Sequence, residues 1–374
     1  MGATPDGSVS PEDGAKVGPV GPVGPAGPAG KDRRGSRSLQ SVALALVGLS
    51  LLVFFFKDAD FAAIAESLSA ANGWLIAMAI TATMVSYLVR ALRWRYLLAP
   101  VGRARLRICF ETTVIGFMVN FLVPPGRLGE LARPYLLARR EGLSASSTFA
   151  TVFLERVLDL ATVVLLVGGW LMFGPGPQGA GSEEAVYGLK IGGLAAFIGV
   201  ALGLGAMFLF ARNTRRGGSL LAWVETVIRK LPAKVAEPAF HFIKSFVEGL
   251  GVLDDRSNLA RAGFLSFILW LNISFALWLA IHAFQVEIPF GATFLVIGFL
   301  TVGVAVPTPG AVGGYHLMCA LALTLMFGVD ENTAKAIALA SHAIAFIPVS
   351  VLGMVFFIRE GMSLREIRSI TTAA

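Results

Sequence analysis

Residues 114–140 read VIGFMVNFLVPPGRLGELARPYLLARR, an apolar run cut at Pro124, Pro125 and Gly126 and resumed through Arg127, Gly129, Glu130 and Arg133. Residues 294–316 follow the same plan, FLVIGFLTVGVAVPTPGAVGGYH, cut at Pro307, Pro309 and Gly310 and resumed at Gly313, Gly314 and His316. Proline lacks the N–H that a helix interior needs, so each break ends one helix and starts another. Irregular backbone at membrane depth is tolerated only where protein or a water-filled cavity satisfies it. The pattern therefore predicts two re-entrant hairpins with those residues at their tips. Ile115-Gly116-Phe117 leads to the first Pro-Gly pair over ten residues and Ile297-Gly298-Phe299 to the second over twelve, a weak internal repeat.

The rest of the chain sets these breaks in a membrane. Of 374 residues, 55% are hydrophobic and 15% charged, with a mean hydropathy of +0.72. A soluble domain has roughly 45–50% apolar and about 25% charged residues. The composition excludes a cytosolic enzyme, a secreted disulfide scaffold and a disordered protein. Cys109 and Cys319 offer neither a disulfide framework nor a metal spacing. Uninterrupted apolar runs at 39–56, 73–98, 147–173, 187–211, 260–284 and 336–358 read as six crossings.

Loop charge orients them. The N-terminal tail holds five basic residues, 99–146 seven, 212–259 eight and the C-terminal tail three, whereas 57–72, 174–186 and 285–335 hold one, none and one. Six crossings with both termini cytoplasmic satisfy this split. The two hairpins then enter from opposite faces, as in an inverted-topology repeat. The expected architecture is an all-α polytopic membrane protein of about six spanning helices plus two opposed helical hairpins, multi-pass in a bacterial inner membrane. Residues 1–38, with the Gly-Pro-X stretch GPVGPVGPAGPA at 18–29, read as a disordered basic cytoplasmic tail, and 39–374 as the membrane domain. Within it, 219–253 carries two amphipathic stripes, Trp223/Val227/Ile228/Leu231 and Phe240/Ile243/Phe246/Leu250, expected to lie in the headgroup plane with Arg229, Lys230, Lys234 and Lys244 near anionic lipid.

Ionisable residues inside the apolar runs point to a site. Glu155, Arg156 and Asp159 fall within the run at 147–173, where a charged side chain costs roughly 2.5–3.5 kcal/mol on insertion scales. Glu155 and Asp159 share a helical face, and Arg127, Glu130 and Arg133 can share another down the returning arm of the first hairpin. They form either a self-neutralising structural cluster or the wall of an anion site. Arginine suits phosphate because its planar fork bonds two oxygens. Two half-helix N-termini at the opposed tips would add partial positive charge. His316 could reach the same cavity from the second hairpin. Arg90, Arg93 and Arg95, with Trp94 and Tyr96, read as an interfacial anchor. No histidine pair has a zinc-like spacing, and no Walker-type phosphate loop is present, so no metal, cofactor or ATP hydrolysis is expected.

The run PPGRLGELARPYLLARREGLSASSTFATVFLERVLDL at 124–160, followed by VPTPGAVGGYH at 306–316, resembles the flippase-like membrane domain of lysylphosphatidylglycerol synthases. The resemblance covers about 39–360, and the family pattern falls on Pro125, Gly126, Gly129, Glu130, Arg133, Glu155, Arg156, Asp159, Pro307, Pro309, Gly310 and Gly313. It implies movement between leaflets of an anionic phospholipid or a polyprenyl-phosphate lipid. A lipid-modifying enzyme is an implied partner, and nucleic acid is not. The full synthases carry a soluble catalytic domain that uses aminoacyl-tRNA. This sequence runs about 16 residues past its last crossing, so lysyl transfer by this chain is not expected. A small-anion transporter and an accessory subunit of a lipid-modifying enzyme are the alternatives.

Overall fold

The computed structural model describes residues 46–122, 128–174, 183–215, 225–230, 233–305 and 308–361, together with residue 43. The tail at 1–38 and the tip residues Pro124, Pro125, Gly126, Arg127 and Pro307 lie outside the described residues. Everything described is helix and short connection. The helices are α1 (Leu46–Phe55), α2 (Phe61–Ala70), α3 (Gly73–Leu97), α4 (Leu106–Leu122), α5 (Gly129–Glu141) and α6 (Ala145–Phe173). They continue as α7 (Glu183–Arg215), α8 (Ala233–Gly249), α9 (Arg256–His282), α10 (Ala292–Ala305), α11 (Gly314–Phe327) and α12 (Glu331–Arg359).

Side-chain caps start the long helices. Asn72 accepts from the N–H groups of Trp74 and Leu75, Ser144 from Ser147, Asp255 from Asn258, and Asp330 from Asn332 and Thr333. Among the described residues, four segments are long and apolar enough to cross a membrane: α3, α9, Pro309–Phe327 and α12. The expected six crossings included α3, α9 and α12 but placed 317–327 in a hairpin arm. With the tip residues attached, the returning arm of the second hairpin is itself of crossing length, because the helix resumes directly after the break.

Each broken segment folds back on itself. In the first hairpin α4 packs along α5, and in the second α10 packs along α11. Both crossings are made by glycine pairs. A Cβ on Gly129 would overlap the carbonyl of Gly116, and a Cβ on Gly314 would overlap that of Gly303. The structural partners are thus Gly116/Gly129 and Gly303/Gly314. The sequence repeat aligned Gly298 with Gly116, but Gly298 faces Val167 of α6 instead. The second tip is tightly wound, with Gly310, Ala311 and Gly313 at φ of 63°, 54° and 86°, a region that only glycine enters freely.

Two apolar cores flank the centre. One packs hairpin 2 against α1, α9 and α12 through Phe55, Ile281, Ile297, Leu323 and Ile337. The other joins α3, α5, α6 and the turn after α8 through Trp94, Leu137, Leu154 and Leu250. The described part of 219–253 also has a protein partner. The apolar side of α8 lies on α6, with Phe246 against Phe149 and Phe153 and the Ser147 hydroxyl donating to the Ser245 carbonyl at 2.8 Å, so protein covers much of it. Residues 219–224 and 231–232, which include Trp223 and Leu231, lie outside the described residues.

Candidate functional site

The middle of α6 supplies Glu155, Arg156 and Asp159, and the helices around it supply three more guanidinium groups: Arg90 and Arg93 from α3 and Arg133 from α5. Glu155 has no exposed surface and Asp159 is 5% exposed, so both face the protein interior. Arg133 grips Glu155 with both terminal nitrogens, at 2.9 and 3.1 Å, and its guanidinium lies 3.8 Å from the centre of the Trp94 ring. Arg156 donates to Glu155 at 2.5 Å, and Arg93 comes within 3.3 Å of the same carboxylate. Asp159 Oδ1 accepts from Arg93 at 2.6 Å and from the Trp270 indole at 3.0 Å. Ser266 on α9 takes a further bond from Arg93 at 2.9 Å. Charges out of water are tolerable only when paired this closely. Four guanidinium groups nevertheless share two carboxylates, so the cluster carries excess positive charge.

One face of the cluster borders a cavity of about 590 Å³. Arg90, Arg156, Asp159, Trp270 and Glu130 line its charged end, and Phe117, Ile273, Leu277, Leu300 and Ile344 are among its apolar walls. Both hairpins reach it next to their breaks: Asn120, Phe121 and Glu130 from the first, and Thr308 and Ala311 from the second. A Cβ on Gly310 would lie 3.6 Å from the Phe121 carbonyl, so the second tip sits beside the end of α4. Arg133 and Glu155 stand behind the wall, where they hold Arg156 and α5 in place.

Sequence reasoning therefore found Glu130, Arg156 and Asp159 on the cavity and Arg133 and Glu155 in the shell behind it. It misassigned α3. Arg93 and Trp94 have no exposed surface and Arg90 is 8% exposed, whereas Arg95 faces outward as an anchor should. The signal was present: Arg90 and Arg93 are three apart on one helical face, and Arg95 is not on it. His316 does not line the cavity. Its ring lies tilted against His342 at 4.4 Å and Phe55 at 5.4 Å, and its Nδ1 accepts the Gly313 N–H at 3.4 Å. His342 Nε2 contacts the Gly310 carbonyl at 2.8 Å, so the two rings fasten the second tip.

The half-helix N-termini are less open than expected. The Gly129 N–H is taken by the Asn120 side chain at 2.7 Å, and the Gly313 N–H by His316. Among the described residues, the positive charge at this end of the cavity is carried by the guanidinium groups of Arg90 and Arg156. No group of three or more metal-ligating side chains exists among the described residues.

Comparison with known proteins identifies the family. Residues 40–353 match the family described as the lysylphosphatidylglycerol synthase TM region. A UPF0104 membrane protein of Methanothermobacter thermautotrophicus is 26% identical over 293 residues, covering 76% of this chain and 83% of the relative. The UPF0104 membrane protein PH1989 of Pyrococcus horikoshii is 24% identical over 338 residues, 86% and 98% of the two chains. A protein named glycosyltransferase AglD, from Haloferax volcanii, is 24% identical over 329 residues, which cover 80% of this chain and 51% of that one.

Proposed function

This multi-pass membrane protein belongs to the lysylphosphatidylglycerol synthase TM-region family, and from that premise we propose that its cavity binds the anionic, phosphate-bearing headgroup of a lipid and assists the headgroup's passage between leaflets. The observation that carries this reading is the cluster of four guanidinium groups against three carboxylates, Glu130 included, gathered at one end of a largely apolar cavity, with Arg90 and Arg156 on its wall. A lone buried cation is costly, and an anionic headgroup would balance it while its chains stay in apolar surroundings. Arg90 and Arg156 hold the phosphate, and Glu130 and Asp159 balance those cations when the site is empty. The two hairpins enter from opposite faces, and both termini face the cytoplasm. The inner membrane of a bacterium remains the proposed location, although the three relatives come from archaea.

A second reading is favoured by the Haloferax relative, whose name is that of a glycosyltransferase and of which this chain matches half. In that reading the domain presents a lipid substrate to a lipid-modifying enzyme instead of moving it. Headgroup accessibility in proteoliposomes separates the two. Wild type should expose fluorescent phosphatidylglycerol faster than empty liposomes and faster than a neutral lipid, and Arg156→Ala should abolish the gain. Rates equal to the empty control for phosphatidylglycerol and polyprenyl-phosphate lipids, with and without a pH gradient, refute translocation and leave the accessory role.

A further inference from the structure

Away from its charged end, the cavity offers a ligand little but hydrocarbon. The serine and threonine hydroxyls on its wall all donate to backbone carbonyls: Thr83 to Ala79, Ser86 to Thr83, Thr301 to Ile297, Thr308 to Val312 and Ser341 to Ala338. None keeps a proton for a ligand. The wall supplied by α9 runs from Trp270 to Ala280, about 15 Å of helix. Leu277, Ile297 and Ile344, which line this length, are 7%, 5% and 6% exposed and so are shielded from bulk lipid. One side of the wall is open. α10 closes on α6 where Gly291 and Gly298 meet Trp170 and Val167. Further along both helices, Leu160 on α6 is 45% exposed and Val304 on α10 38%, and Thr301 is exposed beside them. Every described wall residue from the other helices is buried or half-buried. Leu160 lies one turn beyond Arg156, so the open side adjoins the charged end.

We infer that one hydrocarbon chain of the lipid enters between α6 and α10, past Leu160, Thr301 and Val304, and lies inside the cavity while the headgroup sits at the charged end. The inference rests on the cavity being an anionic-headgroup site and deepens it: the ligand is an amphiphile held by headgroup and chain together, not a soluble anion. A free phosphate or phosphodiester would leave the apolar length of the cavity to water, against walls that have no proton to give it. A lipid chain passes from bilayer hydrocarbon to leucine and isoleucine side chains, which are equally apolar, so its entry carries no desolvation penalty. The route itself is free of charge, and its one hydroxyl, that of Thr301, is already bonded to the Ile297 carbonyl at 2.8 Å.

Photolabelling of the full chain in proteoliposomes tests this. Phosphatidylglycerol carrying a diazirine midway along one acyl chain is photolysed, and the adducts are mapped by mass spectrometry; phosphatidylcholine with the same chain is the comparison. In wild type, phosphatidylglycerol should mark Leu277, Ile297 or Ile344 severalfold more than phosphatidylcholine does. Both lipids should mark the outward-facing Leu165 and Val302 alike, which are 54% and 64% exposed and lie off the cavity wall. Leu160→Trp, at a position with room for a larger side chain, should lower the interior adducts severalfold and spare the outward ones, whereas Leu165→Trp should change neither. Interior adducts undiminished in Leu160→Trp overturn the route between α6 and α10. Interior residues left unmarked in wild type, while Arg156-dependent exposure of phosphatidylglycerol headgroups persists, overturn chain entry and leave the anion site standing. Interior adducts equal for the two lipids and indifferent to Arg156→Ala overturn the anionic-headgroup reading on which the inference rests.

Discussion

Glu155→Gln is the substitution whose effect the structure bounds most tightly. The carboxylate has no exposed surface, accepts two bonds from Arg133 and one from Arg156, and lies 3.3 Å from Arg93. Glutamine has almost the same volume, so packing is little changed and the loss is electrostatic. Three guanidinium groups lose a shared counter-charge, and one amide nitrogen must point at donors. Removing one partner of a buried ion pair costs about 3–5 kcal/mol. The variant should be destabilised by that amount in SDS unfolding from mixed micelles, followed by tryptophan fluorescence. Trp94, against which Arg133 lies, is one of the six tryptophans that report the transition. Arg229→Ala removes an ion pair with Glu225 whose guanidinium side is 73% exposed, and should cost less than about 1 kcal/mol. Replacing both partners, Arg133→Met with Glu155→Leu, should recover most of the loss, since apolar residues fill the volume without stranding a charge. A Glu155→Gln loss as small as that of Arg229→Ala would refute the dry, shared-carboxylate account of this cluster.

Three further outcomes follow from other parts of the fold. Gly129→Ala and Gly303→Ala place a methyl against the facing backbone carbonyl of the same hairpin and should each lower stability by about 1–3 kcal/mol, whereas Gly263→Ala, with nothing within 4 Å, should be neutral or stabilising; the same unfolding assay compares them. His342→Leu removes the ring that contacts the Gly310 carbonyl and should raise maleimide labelling of a cysteine placed at Thr308; unchanged labelling means that the tip does not depend on the ring. At the start of α12, bonds from Thr333 foremost hold the Asp330 carboxyl below its ordinary value. Its contribution is therefore present above the unfolded carboxyl's pKa of about 3.9 and is lost as pH falls through the folded value. Asp330→Ala should cost about 0.5–2 kcal/mol near neutral pH, and its gap from wild type should close on acidification of the unfolding buffer.

Much of the local organisation was legible because it is written in neighbouring residues. Apolar runs too long for a soluble core, and clustered Pro-Gly pairs rather than the single prolines that α5 and α12 carry at Pro134 and Pro348, place the breaks between α4 and α5 and between α10 and α11. The three charges at 155–159 were equally plain, since three ionisable residues in one apolar run need polar company somewhere. The cap residues Asn72, Ser144, Asp255 and Asp330 act within their own first turns.

What only the tertiary structure decided is which distant helix supplies that company. Arg93 and Asp159 are 66 residues apart and Trp270 and Asp159 111 apart, and no periodicity along the chain encodes such pairings. A run of Arg and Trp near a helix end has the same composition whether it anchors at a membrane surface or turns inward, so α3 was misread until its packing against α9 turned Arg90 and Arg93 toward α6. The same holds for the glycines. Gly298 and Gly303 both lie in α10, but helix rotation puts only Gly303 against α11, and that contact needs a side chain of a single hydrogen. By itself, sequence determined what could be buried and where helices stop, because those are local free energies. Tertiary packing decided which charges meet, because pairing two buried ions depends on a distance of a few ångströms between segments that the chain order leaves far apart.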